Sequence, residues 1–258
     1  MITKCVLPPP FLARPLAHRG LHRRSEGRIE NSLSAIDAAV QAGYGIEIDV
    51  QMSKDGQAIV FHDENLDRLT NETGPVVACD AAALTLFTLK DGQDQIATLP
   101  QVLRHIAGRC ALLIEIKDQS GVLGPSDGRL ETAIFHAISA YLGPLALMSF
   151  NPHSVFHMAC LCPQIARGLT TEAFVAQDWP SLTAKRAEKL CQISDYEASG
   201  SSFISHDWRD LGRPRVAALR AASADILCWT VRSRAEEAKA RKNAQNVTFE
   251  NYLPGPKA

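Results

Sequence analysis

The sequence predicts an α/β fold, a (β/α)8 barrel, on three observations. Eight short apolar runs are spread along 258 residues. Helical patterns separate all but a few of them. Residues with chemistry in their side chains close several of the runs, namely His18, Asp49, Lys117, Phe150, His206 and Trp229. In such a barrel the C-terminal strand ends form the functional rim. The chain has the length of one such unit, so residues 1–258 are expected to form a single TIM-barrel domain.

The first strand is expected at residues 16–18. A helix follows over 31–42, with Asn31 or Ser32 as its cap. The second strand covers 45–50. Asp49 and Ala58 are too close for a helical crossover, and Asp55-Gly56 between two extended runs reads as a tight hairpin turn. Residues 57–62 should then fold back beside the second strand. They open a small insertion over about 57–95, partly irregular, with Gly74-Pro75 as a turn. Its length favours a functional loop over a passive one. The remaining strands are expected at 111–117, 145–150, 165–170, 202–206, 226–231 and 247–250. Helices are expected at 99–107, 130–142, 152–160, 183–194, 214–222 and 233–243.

Composition excludes several classes. A formal charge of −1 with 6% aromatic residues offers no electrostatic footprint for nucleic acid or for a membrane surface. The seven cysteines contain no C-x-x-C pair and read as reduced thiols of a cytosolic, cytoplasmic protein, with Cys160 and Cys162 a weak metal pair at best. Pro8-Pro9-Pro10 interrupts the apolar start of the chain, and no run reaches the roughly 20 residues of a membrane span. Secretion and stable membrane insertion are not expected, which makes the N-x-T strings at Asn71 and Asn246 chance matches. Oligomeric state has no signature in the sequence.

The chemistry starts at Glu47-Ile48-Asp49-Val50. Alternate residues of a strand share a face, so Glu47 and Asp49 project side by side. Neighbouring carboxylates repel unless a cation or a shared proton relieves them. Ile46, Ile48 and Val50 belong in a core, so the pair suggests a hard cation, Mg2+ or Ca2+; cavity size decides between the two. Glu115 and Lys117 repeat the spacing, and His62-Asp63 follows another apolar run. Carboxylates, histidines, an arginine and a lysine at strand ends suit phosphate ester chemistry. Plainer readings stand beside these. A lone His is usually structural, Glu115 and Lys117 can be a buried ion pair, and Trp229 or Phe150 can be core. His206 reads as structural. His22, Arg23, Arg24 and Arg28 form either a solvated basic run or a contact for an anionic group.

The strings occur in an order that resembles the glycerophosphodiester phosphodiesterase family. They are H-R-G (His18-Arg19-Gly20), E-N (Glu30-Asn31), E-x-D-V (Glu47, Asp49, Val50), V-F-H-D ending at Asp63, and L-D-R-L-T ending at Thr70. E-I-K ending at Lys117, S-F (Ser149-Phe150) and W-T-V from Trp229 complete the set, which covers about residues 16–231. The resemblance implies a (β/α)8 barrel with a small insertion after the second strand. It implies Glu47, Asp49 and Glu115 as ligands of one divalent cation, and His18 and His62 as an acid–base pair whose roles the motifs leave open. Arg19 and Lys117 would hold the phosphate, and Phe150 and Trp229 would line the substrate slot. The implied reaction is hydrolysis of a small glycerophosphodiester to sn-glycerol 3-phosphate and an alcohol. Alternatives are a lysophospholipase D, served by an apolar patch at Leu84-Thr85-Leu86-Phe87 unless that string packs the insertion, and a catalytically silent phosphodiester-binding barrel. The chain departs from the family pattern at Ile29, at Arg232, and at Glu250-Asn251, where the family commonly has Asp and then Pro.

Overall fold

The apolar runs become strands of a closed parallel barrel. The structure is a computed structural model that describes residues 4–255; the first three residues of the proline-interrupted start and the last three of the chain lie outside them. The barrel strands are β1 (Leu16–Ala17), β2 (Gly45–Met52), β5 (Leu112–Ile116), β6 (Leu145–Ser149), β7 (Ala166–Thr171), β8 (Phe203–Asp207), β9 (Asp225–Val231) and β10 (Asn246–Phe249). They pair in parallel in that order, and β10 returns to β1, which also pairs with β2. All eight expected strands are present.

The expected hairpin is present as well. After the turn, β3 (Ala58–Val60) runs antiparallel to β2, with Val50 opposite Val60, and β4 (Ala97–Thr98) pairs with β3. Gly56, at φ +78°, closes the turn by donating its N–H to Ser53. Between β3 and β4 the insertion has its own core of Ile59, Phe61, Leu66, Val76, Leu84 and Leu89, with Ile29 reaching in. Leu84 and Phe87 pack in or against this core and leave only Leu86 strongly exposed, so the string packs the insertion rather than forming an apolar face.

Seven helices alternate with the strands where helical patterns were expected: α2 (Leu33–Gln41), α4 (Leu99–Ile106), α5 (Arg129–Ile138), α6 (Pro152–Leu161), α7 (Ala184–Cys191), α8 (Pro214–Ala221) and α9 (Arg234–Ala240). Side-chain caps start several of them: Ser32, Thr98, Asn151, Thr183 and Ser233 each accept a backbone N–H of the first turn. Two short helices have no periodic signal in the sequence, α1 (Pro10–Ala13) and α3 (Ala81–Leu84). α1 plugs the barrel floor. Leu7 and Phe11 pack with Leu16, Leu113, Phe203 and Leu227 inside the strands, and burial of each side chain contributes about 1.5–3 kcal/mol. Asn246 is buried and donates to the carbonyls of Phe11 and Arg14, so one N-x-T string is a floor clamp.

Alternation along the strands sorts the residues. Ile46, Ile48, Val50, Leu112, Ile114 and Ile116 face the helices. Their neighbours Glu47, Asp49 and Glu115 therefore face the barrel axis. No helix among the described residues is long and apolar enough to cross a membrane.

Candidate functional site

The loop after β1 is shaped by two residues in left-handed backbone, Arg19 at φ +55° and Gly20 at φ +79°. A Cβ on Gly20 would lie 2.8 Å from the backbone carbon of Ala35, which accounts for glycine there. The turn brings the Arg19 N–H to Glu47 Oε2 at 3.0 Å and its guanidinium Nε to Asp49 Oδ2 at 3.2 Å. Asp49 and Glu115 are opposite each other on β2 and β5. Lys117 Nζ bridges them, 3.2 Å from Asp49 Oδ1 and 2.9 Å from Glu115 Oε1. Ligand-capable atoms of Glu47, Asp49 and Glu115 all lie within 4.8 Å of one another, and all three side chains are buried.

Charge balance is uneven across the triplet. Burial pushes Asp49 up, but Lys117, His62, Arg19 and His18 outweigh it and hold its carboxyl well below the usual range. Glu47 moves the other way. Burial, then the negative charges of Asp49 and Glu115, push its carboxyl well above the usual range. Glu47 accepts the Arg19 backbone N–H, has the His18 ring at 4.0 Å, and feels the Arg19 charge, but these do not outweigh burial and its two acidic neighbours. Three buried hard oxygen donors with one poorly neutralised member fit a divalent cation of the Mg2+ or Ca2+ type.

Both histidines are backed by a carboxylate. His18 Nδ1 is 2.8 Å from Glu250 Oε2, and His62 Nδ1 is 2.6 Å from Asp63 Oδ1. A carboxylate only accepts, so each Nδ1 carries the proton and each Nε2 is left for other partners. Burial lowers the His18 pKa below the ordinary imidazole value, against the hydrogen bond that the ring donates to Glu250, which raises it.

All nine residues singled out from the sequence (His18, Arg19, Glu47, Asp49, His62, Glu115, Lys117, Phe150 and Trp229) line one cavity of about 160 Å3. Several residues around it belong to the same strings but have no site role legible in the sequence. Asn31, at φ +61°, does not cap the helix, since Ser32 does; its amide instead donates to Asp49 Oδ2 and accepts the Asp49 N–H. Glu30 accepts from Arg19 at 2.6 Å and from both terminal nitrogens of Arg68 at 2.8 Å, and Arg68 grips Asp63 with its other edge. A continuous line of charges thus runs from Arg19 to His62. Despite burial, the two arginines hold the Glu30 carboxyl down to about 2. The E-N and H-D strings were the available signal; what they touch depends on the insertion folding back.

Other expectations resolve here too. His206 ends a strand but has the outward register of Ile204 and Cys228, and it pairs with Thr171 at 2.8 Å. It is structural. Arg23 and Arg28 share Glu26 and Arg24 pairs with Asp91, so each arginine of the basic run has an acidic partner nearby. All seven cysteines are free thiols; Cys162 is buried while Cys160 is exposed, which separates that pair.

A statistical description of the glycerophosphoryl diester phosphodiesterase family matches residues 18–248. The chain is 32% identical over 176 residues to a glycerophosphodiester phosphodiesterase of Caldanaerobacter subterraneus subsp. tengcongensis, covering 64% of this chain and 69% of that one. It is 24% identical over 251 residues to a glycerophosphodiester phosphodiesterase of Bacillus subtilis, covering 90% and 82%. Among solved structures, the fold is similar to that of an Oleispira antarctica phosphodiesterase in complex with the product sn-glycerol-3-phosphate. There the TM-score is 0.75 with 24% identity, over 94% of each chain. It is also similar to a glycerophosphodiester phosphodiesterase of Thermotoga maritima, with a TM-score of 0.66 and 22% identity over 91% and 92%. Matched from the first rim histidine to the last barrel strand, the chain belongs to the glycerophosphoryl diester phosphodiesterase family.

Proposed function

We propose that the chain hydrolyses small glycerophosphodiesters to sn-glycerol 3-phosphate and an alcohol, with one divalent cation and two histidines as acid and base. One observation carries this reading: a single rim cavity is lined by two histidines, three carboxylates, three cationic side chains (Arg19, Lys117 and Arg232) and two aromatic rings. Glu47, Asp49 and Glu115 would hold the cation. When bound, it supplies positive charge to a phosphoryl oxygen.

The side chains do the rest. Arg19 and Lys117 face the phosphate and offset charge that builds on it in the transition state. A neighbouring glycerol hydroxyl attacks phosphorus as one histidine Nε2 takes its proton. The bond to the departing alcohol breaks as the other histidine gives that oxygen a proton. The cyclic phosphate is then opened by water with the proton traffic reversed. Glu250 and Asp63 keep both rings in the tautomer that leaves Nε2 available. Phe150 and Trp229 line the slot.

The test is release of glycerol 3-phosphate from glycerophosphocholine, glycerophosphoethanolamine and lysophosphatidylcholine, with Mg2+, Ca2+ or EDTA and with His18→Ala beside the unaltered protein. Metal-dependent release from the short diesters, lost in His18→Ala, is expected. Release of lysophosphatidic acid alone would make it a lysophospholipase D, and no turnover would sink the catalytic reading.

A further inference from the structure

His22 departs from the basic run that carries it. The three arginines of that run pair with Glu26 and Asp91, whereas His22 turns its Nε2 toward Glu250 Oε2, at 3.6 Å. The same oxygen lies 2.8 Å from His18 Nδ1. One ligand-capable atom from each of His18, His22 and Glu250 lies within 4.8 Å of the other two. We propose that these three residues form a second metal site, for a borderline cation of the Zn2+ type, and that its occupation silences the enzyme by taking His18. The metal site stands on its own geometry; its inhibitory effect rests on the phosphodiesterase reading above.

The spacing fits a metal better than a hydrogen bond. Zinc bonds of about 2.0–2.2 Å to nitrogen and oxygen, opened at the tetrahedral angle, set two ligand atoms roughly 3.3–3.5 Å apart. His22 already stands near that separation from Glu250, and 3.6 Å is too long for a hydrogen bond. Its Nε2 is nonetheless buried and has no hydrogen-bond partner among the described residues. A bound cation would satisfy that nitrogen. His18 would part from Glu250 by roughly 0.5 Å to join it. The ligands are also held in place. The Leu21 N–H donates to the Ala35 carbonyl at 2.9 Å and the Arg23 N–H to the Arg28 carbonyl at 2.8 Å, so the backbone is fixed on both sides of His22. Glu250 Oε1 accepts from Arg232 Nε at 2.6 Å, which orients the carboxylate and leaves Oε2 for a metal.

Donor chemistry separates this site from the carboxylate triplet. Glu47, Asp49 and Glu115 offer only oxygen, which suits Mg2+ or Ca2+, whereas two imidazoles and one carboxylate suit a borderline cation. All three side chains of the second site keep some exposure, so an ion can enter from solvent. One ring belongs to both sites: His18 Nδ1 faces Glu250, and its Nε2 is 4.0 Å from Glu47 Oε2. A metal on Nδ1 takes the lone pair there, and the proton that Nδ1 carried passes through solvent to Nε2. Nε2 then has no lone pair with which to accept a proton. A ring fixed in that state no longer cycles between acid and base.

The probe is Zn2+, titrated into the full chain in excess Mg2+ and followed by calorimetry and by glycerol 3-phosphate release from glycerophosphocholine and glycerophosphoethanolamine. The free thiols can also take zinc, so the informative quantity is the difference between the unaltered protein and His22→Ala or His22→Gln, neither of which offers an imidazole. The unaltered protein should bind one further zinc that both variants lose or hold at least about 10-fold more weakly. The zinc concentration that halves turnover should rise by the same factor, with Tm and zinc-free turnover unchanged. Equal zinc binding in all three proteins overturns the site. Weaker binding in the variants with equal inhibition supports the metal site and overturns its silencing of His18. If no ester is cleaved under any condition, the phosphodiesterase reading falls, and the calorimetric difference still decides the metal site.

Discussion

Glu250 Oε2 lies 2.8 Å from His18 Nδ1, while its other oxygen accepts from Arg232 Nε at 2.6 Å. Both Glu250 and Arg232 are positions at which the chain leaves the family pattern. The two departures meet, and together they aim a ring that faces the carboxylate triplet. On the proposed reading of His18 as acid or base, Glu250 is a positioning residue. Glu250→Gln lets either His18 tautomer form and should lower kcat by on the order of 10- to 100-fold with KM changed little. Glu250→Asp should recover part of it. Steady-state kinetics check this, and a loss confined to KM would refute the role.

Removal of either histidine should be costlier. His18→Ala and His62→Ala are each expected to lower kcat by roughly 100- to 10,000-fold, with thermal unfolding showing an intact fold. If one variant kept full activity, the pairing of acid and base would be wrong.

The carboxylate triplet predicts a response that does not require turnover. A cation that binds the folded chain at about 100 times its Kd stabilises it by ~2.7 kcal/mol, or roughly 5–10 °C for a chain of this size. Mg2+ or Ca2+ should raise Tm, EDTA should reverse the rise, and Glu47→Gln should weaken it. A Tm indifferent to both ions would remove the metal site.

Glu30 predicts an acid limb in stability. Its carboxyl is held down to about 2, below its ordinary value of 4.5. A depressed carboxylate contributes stability that is fully present above the ordinary value. That stability is lost as pH falls through the folded value. The window is therefore pH 4.5 to about 2. Since Arg68 is partly exposed, the contribution is discounted to about 1–3 kcal/mol. Chemical denaturation across that window should show a smaller fall in Glu30→Gln than in the unaltered protein.

Gly20 predicts a packing penalty. Gly20→Ala adds a Cβ against Ala35 in left-handed backbone, with an expected cost of about 1–3 kcal/mol. The strain would fall on the turn that carries Arg19, so weaker substrate binding should accompany the lower Tm.

Much of the molecule was legible in sequence because its signals are local. Strand period placed Glu47 and Asp49 on one face, and the Asp55-Gly56 turn announced the returning hairpin. α1 was not legible, since four residues hold no period and its reason for existing is a hole in the barrel floor. His206 shows the limit of reading strand ends: its place in the chain matched the site, but its register turned it to the helices. The residues that steer the site, namely Asn31, Glu30, Arg68, Asp63 and Glu250, act through partners up to 232 residues away. By itself the sequence determined the barrel, its insertion and the inventory of acids, bases and cations, because those follow from periodicity and residue type. Which carboxylate backs which histidine and which arginines are already spent were decided only by tertiary structure, because hydrogen bonds and ion pairs depend on distances that chain closure sets.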